Sequence, residues 1–310
     1  MQNTPRKHHF ISQCYLKNFS DEKGNILTLD FERGRHFTTT PKNIAAERDF
    51  NLIESKAVLS FEIEKKLGEL ESFFASSIQN VITTEQFSER DYAQILFFIA
   101  CYAIRNPYTR EGLKQHISNK ANMLQLPILP EGSQVLLEDE GGEKFEAIIK
   151  TSLHNGQAKT AIDINITRNQ HIILEFETIT ERILPSLYER KWRLAKAPQD
   201  LFFITSESPV ILMKPGSSTV EPLSFEDKNT ILYFPLTRKF TLIGEFSSTI
   251  INSTQQISDK NVADMNNLIL FTAKNQIFTP RADFKFSDGC GGIISGENIV
   301  KKLCKFRLQT

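Results

Sequence analysis

The sequence predicts an α+β protein: an N-terminal helical bundle packed with a mainly antiparallel sheet in the C-terminal half. Three observations lead there. Segments with apolar residues three and four apart dominate from about 57 to 192, short β-rich segments separated by turns fill about 192 to 310, and no internal repeat breaks that order. The 310 residues are 40% hydrophobic, enough to bury a sizeable core, and they read as a single domain.

The elements follow in chain order. Residues 8–19 read as a short helix or turn with Phe10, Cys14, Leu16 and Phe19 toward one side. "GNILTLDF" (24–31) opens on a glycine turn and alternates in part, a strand signal, whereas "ERGRHFTTTPKN" reads as loop and "IAAERDFNL" (44–52) as a short connector. From 57 to 82, Ile63, Leu67, Leu70, Phe74, Ile78 and Val81 recur at helical spacing. A second helix starts at Ser88, with Asp91 placed for a capping box, and stops at Asn106 before Pro107; its centre is apolar nearly all round, which puts it inside the bundle. Residues 109–125 suit a third helix. The segment 126–144, with two prolines followed by an acidic, glycine-containing patch, reads as a mobile loop or insertion, and 143–155 as weakly helical. A long helix over 168–192 contains Pro185, a kink position. Then "WRLAKAP", "LFFIT", "PVILMK", "TILYFPL", "FTLIGEF" and "TIINST" suggest an antiparallel sheet, followed by a helix at 258–275, a strand at "NQIFTP" and a glycine turn near Gly289, Gly291 and Gly292.

Composition limits function. Lys plus Arg and Asp plus Glu number 37 each, so no net charge draws the chain to nucleic acid or anionic lipid, although a local basic groove is compatible with this balance. The 24 Phe, against 6 Tyr and 1 Trp, read mainly as core. Cys14, Cys101, Cys290 and Cys304 form no C-x-x-C pair, which argues against a cysteine zinc site. The polar, basic start lacks the apolar core of a signal peptide and no run reaches membrane-span length, so the expected setting is the cytoplasm, without membrane association and with reduced thiols.

Four groups of residues carry chemistry. His8 and His9 point in different directions whether the segment is helical or extended, so only one of them can serve a given small site. The alternative is a cap and hydrogen-bond role at a helix start. Glu64 and Glu71 lie seven apart at the edge of the apolar stripe formed by Ile63, Leu67 and Phe74, where carboxylates can ligate metal or move a proton, or else form a solvated flank with lysine neighbours. In "RNPYTR", Arg105 and Arg110 flank a helix end, suited either to its dipole or to clamping a carboxylate or phosphate. In "FFITSESPV", a buried strand runs into Thr205, Ser206 and Glu207, an arrangement found in sites and in ordinary turns. The chain has no G-x-S-x-G, Walker A, Rossmann or H-E-x-x-H sequence.

"HHFISQCYLKNF", "ERDF", "RNPYTR" and "FITSESPV" with "FPL" after it together resemble a mainly bacterial domain-of-unknown-function family, number 4238, across nearly the whole chain. The resemblance marks His8, His9, Gln13, Tyr15, Leu16, Phe19, Asp49, Arg105, Pro107, Arg110, Thr205, Ser206, Glu207 and Pro209. Two residues depart from its pattern. Ser12 stands where the family usually has proline, and Glu207 where it has aspartate.

Three functional classes follow. In the first, a nuclease-like phosphodiester hydrolase, an effector in phage defence or toxin biology, would use His8, His9, Asp49, Glu71 and Glu207 catalytically. Gln13, Tyr15, Arg105, Arg110, Thr205 and Ser206 would bind the ligand, a nucleic acid or nucleotide, with a divalent metal compatible as cofactor. In the second, a non-catalytic binding or regulatory module, the same residues form a buried hydrogen-bond network and a partner protein is compatible. The third is a nucleotide or small-ligand sensor using Arg105 and Arg110. Oligomeric state is left open by the sequence.

Overall fold

The computed structural model describes residues 6–52, 62–123, 132–138, 144–154, 157–216, 223–247, 254–288 and 291–306. The chain opens with β1 (Lys7–His9), α1 (Gln13–Leu16) running into a 3-10 turn (Lys17–Phe19), then β2 (Ile26–Asp30), β3 (Arg35–Thr39) and β4 (Ala46–Arg48). Three helices follow: α2 (Glu62–Thr84), α3 (Glu89–Ile104) and α4 (Pro107–Met123). Next come β5 (Gln134–Glu138), β6 (Lys144–His154) and β7 (Gln157–Asn165). After them lie α5 (Arg168–Thr178), a π-helical stretch (Ile179–Ile183) and α6 (Leu184–Glu189). The remaining elements are β8 (Lys191–Lys196), β9 (Thr205–Ser206), β10 (Ile211–Met213), β11 (Ile231–Pro235), β12 (Phe240–Glu245), β13 (Thr254–Gln256), α7 (Asp259–Thr272), β14 (Gln276–Thr279), β15 (Lys285–Ser287), β16 (Ile293–Ser295) and α8 (Glu297–Phe306).

The protein is α+β, with strands before, between and after the helices. One sheet runs β10-β11-β12-β8-β13, antiparallel except where β13 lies parallel to β8. A second runs β3-β2-β14-β9 and so joins the N-terminal strands to the C-terminal half. β1 pairs with β4, and β5-β6-β7 form a separate meander.

Local sequence explains several boundaries. Asp91 Oδ2 accepts the Ser88 main-chain N–H at 3.4 Å, as the expected capping box of α3 requires, and the Ser88 hydroxyl at 2.9 Å. Arg105 closes that helix, and Asn106 caps the next, its Oδ1 accepting the Thr109 N–H at 2.9 Å, with Pro107 pre-set at the first position of α4. Pro185 has no N–H to give, and the ladder widens to a π turn just before it instead of breaking.

Three local expectations are corrected. The segment read as loop around 32–43 contains β3, whose polar, half-buried residues conceal a strand edge. The segment read as weakly helical at 143–155 is β6, where Phe145, Ala147 and Ile149 alternate into the core. The segment 126–144 contains β5, paired with β6; residues 124–131 and 139–143 lie outside the described residues, as do 57–61 at the start of the expected first helix.

The largest apolar cluster joins Ile11, Tyr15, Leu16 and Phe19 to α2, α3, the π stretch and the sheet strands β8, β11 and β12. The N-terminal segment is thus the wedge between helices and sheet. Gly244 sits opposite Trp192, where an added Cβ would meet the indole at 2.9 Å, so only glycine fits. No helix among the described residues is long and apolar enough to cross a membrane.

Candidate functional site

The pair at the start of the chain lies in an extended segment, so its two side chains take opposite faces. His8 is buried and His9 is half-buried. His8 Nδ1 accepts the main-chain N–H of Asn51 at 2.9 Å, which assigns the ring proton to Nε2. His9 Nδ1 lies 3.5 Å from Gln13 Nε2.

From Asn51 the contacts run inward. Its Oδ1 accepts from Arg105 at 2.6 Å. Arg105 lies 3.5 Å from the carboxylate of Glu175, which is buried, with a relative exposure of 2%. Arg110 grips the same carboxylate in a fork, Nε to Oε1 at 2.5 Å and Nη2 to Oε2 at 3.0 Å, while its Nη1 donates to the Phe50 carbonyl at 3.0 Å. The Arg110 guanidinium lies 3.5 Å above the Phe50 ring. One network therefore ties β1, the 50–51 turn, the end of α3, the start of α4 and the middle of α5. The arginines do clamp a carboxylate, and it is the protein's own.

A second cluster holds the wedge. The Tyr15 hydroxyl donates to the Pro235 carbonyl at 2.6 Å and lies 2.8 Å from Thr205 Oγ1. Burial pushes the Tyr15 phenol far above its ordinary range, so it is a neutral strut. Ser12 caps α1 and bonds the Tyr102 hydroxyl at 2.5 Å.

Glu207 is buried, and its carboxylate accepts three consecutive main-chain N–H groups: Lys274 at 2.6 Å, Asn275 at 2.8 Å and Gln276 at 2.8 Å. It closes the turn from α7 into β14. The neighbouring Ser206 hydroxyl accepts the Ser208 N–H at 3.1 Å. Asn275 continues outward to the Tyr108 hydroxyl at 2.7 Å on α4.

Asp49 accepts from Arg6 at 3.0 and 2.6 Å, with Arg48 at 3.6 Å, and the hydrogen bond from Arg6 holds its carboxyl below the usual range. The Glu71 carbonyl accepts the Cys14 thiol at 3.7 Å, and burial, helped by the Glu71 charge, pushes that thiol up. The Glu64 side chain lies outside the described residues. Among the described residues no group of three or more His, Cys, Asp or Glu side chains is placed to hold a metal ion. Two of the carboxylates expected to act catalytically are engaged within the protein: Asp49 by arginines and Glu207 by peptide N–H groups.

Beside the Arg110–Glu175 fork lies a cleft of about 300 Å³ between α4 and α5, with His171 on its wall. Burial, reinforced by Arg110, lowers the His171 pKa from 6.5 to about 4. The unfolded chain therefore binds a proton between those values that the folded chain excludes, and stability falls as pH drops from 6.5 towards 4. Urea midpoints measured across that window are expected to slope less in His171→Phe than in the wild type; equal slopes would remove His171 as a cause.

Glu175 and Asn51 escape a reading of the sequence by residue type. One signal for Glu175 was present: Ile172, Glu175 and Ile179 share a helical stripe, so the carboxylate stands at a core position.

Residues 7–283 match the family described as protein of unknown function, DUF4238, and the chain belongs to that family. No curated protein and no solved structure matches it.

Proposed function

We propose that this family member is a non-catalytic binding or regulatory module, in which His8, Arg105 and Arg110 join the N-terminal segment to the helices. The observation that supports this reading is the occupied fork of Arg110. A phosphate bound there would have to displace the buried Glu175 carboxylate and the Phe50 carbonyl. His8 likewise spends Nδ1 on a main-chain N–H. The chain's zero net charge adds no general attraction to nucleic acid.

The test compares wild type with His8→Ala in urea titrations and in cleavage of DNA, RNA and nucleotides with added magnesium or manganese. The expected result is no cleavage by either protein and a loss of about 1–3 kcal/mol in the variant, whose Asn51 N–H loses its buried acceptor. Cleavage by wild type that disappears in a folded His8→Ala would instead make the protein a phosphodiester hydrolase with His8 in its site.

A further inference from the structure

We infer that the cavity where the 21–23 turn, the 199–202 loop, the turn between β11 and β12 and residues 280–283 meet is a binding site for a phosphate group. It is separate from the network of His8, Arg105 and Arg110, and it stands whether or not the module reading above does.

The cavity measures about 690 Å³, within the range of small-molecule sites. Positive and negative side chains line it in equal number, yet they do not pair off across it. The carboxylate of Asp21 is spent on its own turn, Oδ1 accepting the N–H groups of Lys23 at 2.9 Å and Asn25 at 2.8 Å. Asp283 accepts from Arg281 Nε at 3.1 Å. Glu22 and Lys23 are chain neighbours of opposite sign. Asp200 alone is left against Arg238 and Lys239.

Those two cations are adjacent, and neither has an ion pair among the described residues. The Lys239 ammonium donates to the carbonyls of Pro198 at 3.1 Å, Gln199 at 2.5 Å and Leu201 at 2.7 Å, which uses all three of its protons. Arg238 Nη1 donates to the Ser20 carbonyl at 3.1 Å. The main chain of Arg238 is fixed as well, its N–H on the Asn18 carbonyl at 3.1 Å and its carbonyl under the Phe203 N–H at 2.9 Å. Neutral carbonyls thus hold two like charges side by side. Burial, then Arg238, lowers the Lys239 pKa; Asp200 opposes this, while Arg281 and Lys196 add to it. An anion seated here relieves that repulsion without rearranging the scaffold.

Arg281 faces the same cavity from the segment after β14. Its guanidinium lies 5.2 Å from the centre of the Phe202 ring, and with Nε on Asp283 its two Nη groups have no hydrogen-bond partner among the described residues. Arg238 likewise keeps Nε and Nη2 unspent. Guanidinium N–H groups suit the several oxygens of a phosphate, which can accept from both arginines, while Lys239 adds charge without a proton to give. The cavity exceeds one phosphate, so it has room for a small organic body carrying that group.

The experiment uses the full chain at pH 7.5 and fixed ionic strength, with ribose 5-phosphate, inorganic phosphate and ribose as probes. Calorimetric titration and melting temperature are read for wild type, Arg238→Gln, Arg281→Gln and Asp200→Asn. Ribose 5-phosphate is expected to bind wild type and raise its melting temperature, and ribose to do neither. Each arginine variant should bind the ester roughly tenfold more weakly or worse. Arg281 is exposed, so Arg281→Gln keeps the test standing should Arg238→Gln fail to fold. Asp200→Asn should bind the ester more tightly, because it removes the repelling carboxylate, a gain that a merely structural role for Asp200 does not produce. Weaker binding of inorganic phosphate than of the ester supports the site and assigns it to a phosphorylated small molecule; equal affinity supports it and assigns it to free phosphate. No binding of either phosphate compound to wild type overturns the site. So does ribose binding as well as its phosphate, unchanged binding by a folded Arg281→Gln, or weakened binding by Asp200→Asn.

Discussion

Glu175→Leu is expected to destabilise the chain by about 3–5 kcal/mol, the largest loss from any substitution in the polar network. The carboxylate is buried and balances two guanidinium groups, Arg110 in a two-bond fork and Arg105 at 3.5 Å. Removing it leaves both cations in a poorly solvated setting without their counter-charge. A leucine of similar bulk restores packing but not charge. The cost is a property of the broken pair, so removing both partners should recover much of it. Arg110→Met combined with Glu175→Leu is expected to be more stable than Glu175→Leu alone, and the double-mutant cycle should show coupling well above 1 kcal/mol. Arg110→Lys tests the fork in a different way. It keeps a positive charge but cannot span both carboxylate oxygens and the Phe50 carbonyl together. Urea titrations of wild type, Glu175→Leu, Arg110→Met, their double variant and Arg110→Lys decide the matter. A loss below 1 kcal/mol for Glu175→Leu would mean that the clamp does not hold the helices together.

The same network shows what was legible in the sequence. The separation of His8 from His9 follows from side-chain alternation, and Ser88 with Asp91 announced its capping box from spacing alone. The arginines of "RNPYTR" were recognisable as clamps because guanidinium geometry fits carboxylates and phosphates alike. Their partner was not recognisable, because Glu175 lies 65 residues beyond Arg110 and a lone glutamate on a helix ordinarily faces water. Only its place on the Ile172–Ile179 stripe marks it as internal. Strand β6 was lost for a related reason. Short apolar segments satisfy helical and strand periods together, and the choice falls to pairing with β5 and β7, which local sequence does not encode. The mixing of strands through the whole chain has the same origin, since β2 and β14 meet across almost 250 residues.

Glu207→Ala is expected to cost about 3 kcal/mol or more, because it strips the acceptor from three successive N–H groups, each worth roughly 1–3 kcal/mol when left unpaired away from water. Glutamine is the more discriminating change. Its carbonyl oxygen can still serve two of the three donors, but its amide NH₂ must then face the third N–H, donor against donor. Glu207→Gln should therefore lose less than alanine yet remain clearly below wild type. Aspartate keeps both oxygens on a side chain one methylene shorter, and the 274–276 turn must move inward to meet it. Glu207→Asp is expected to retain most of the stability if the carboxylate is an anchor for that turn. The order Glu, Asp, Gln, Ala in urea midpoints is the signature of an anion held by peptide N–H groups. A flat series would show that the turn stands without it. The anchor also reaches α4, because the N–H of Asn275 binds Glu207 while its side chain binds Tyr108. Tyr108 lies two residues before Arg110, so loosening the turn should weaken the Arg110–Glu175 clamp as well. Glu207→Ala and Glu175→Leu should then combine to less than the sum of their separate costs. Strict additivity would separate the two networks and leave Glu207 as a local fastening of β9 to β14.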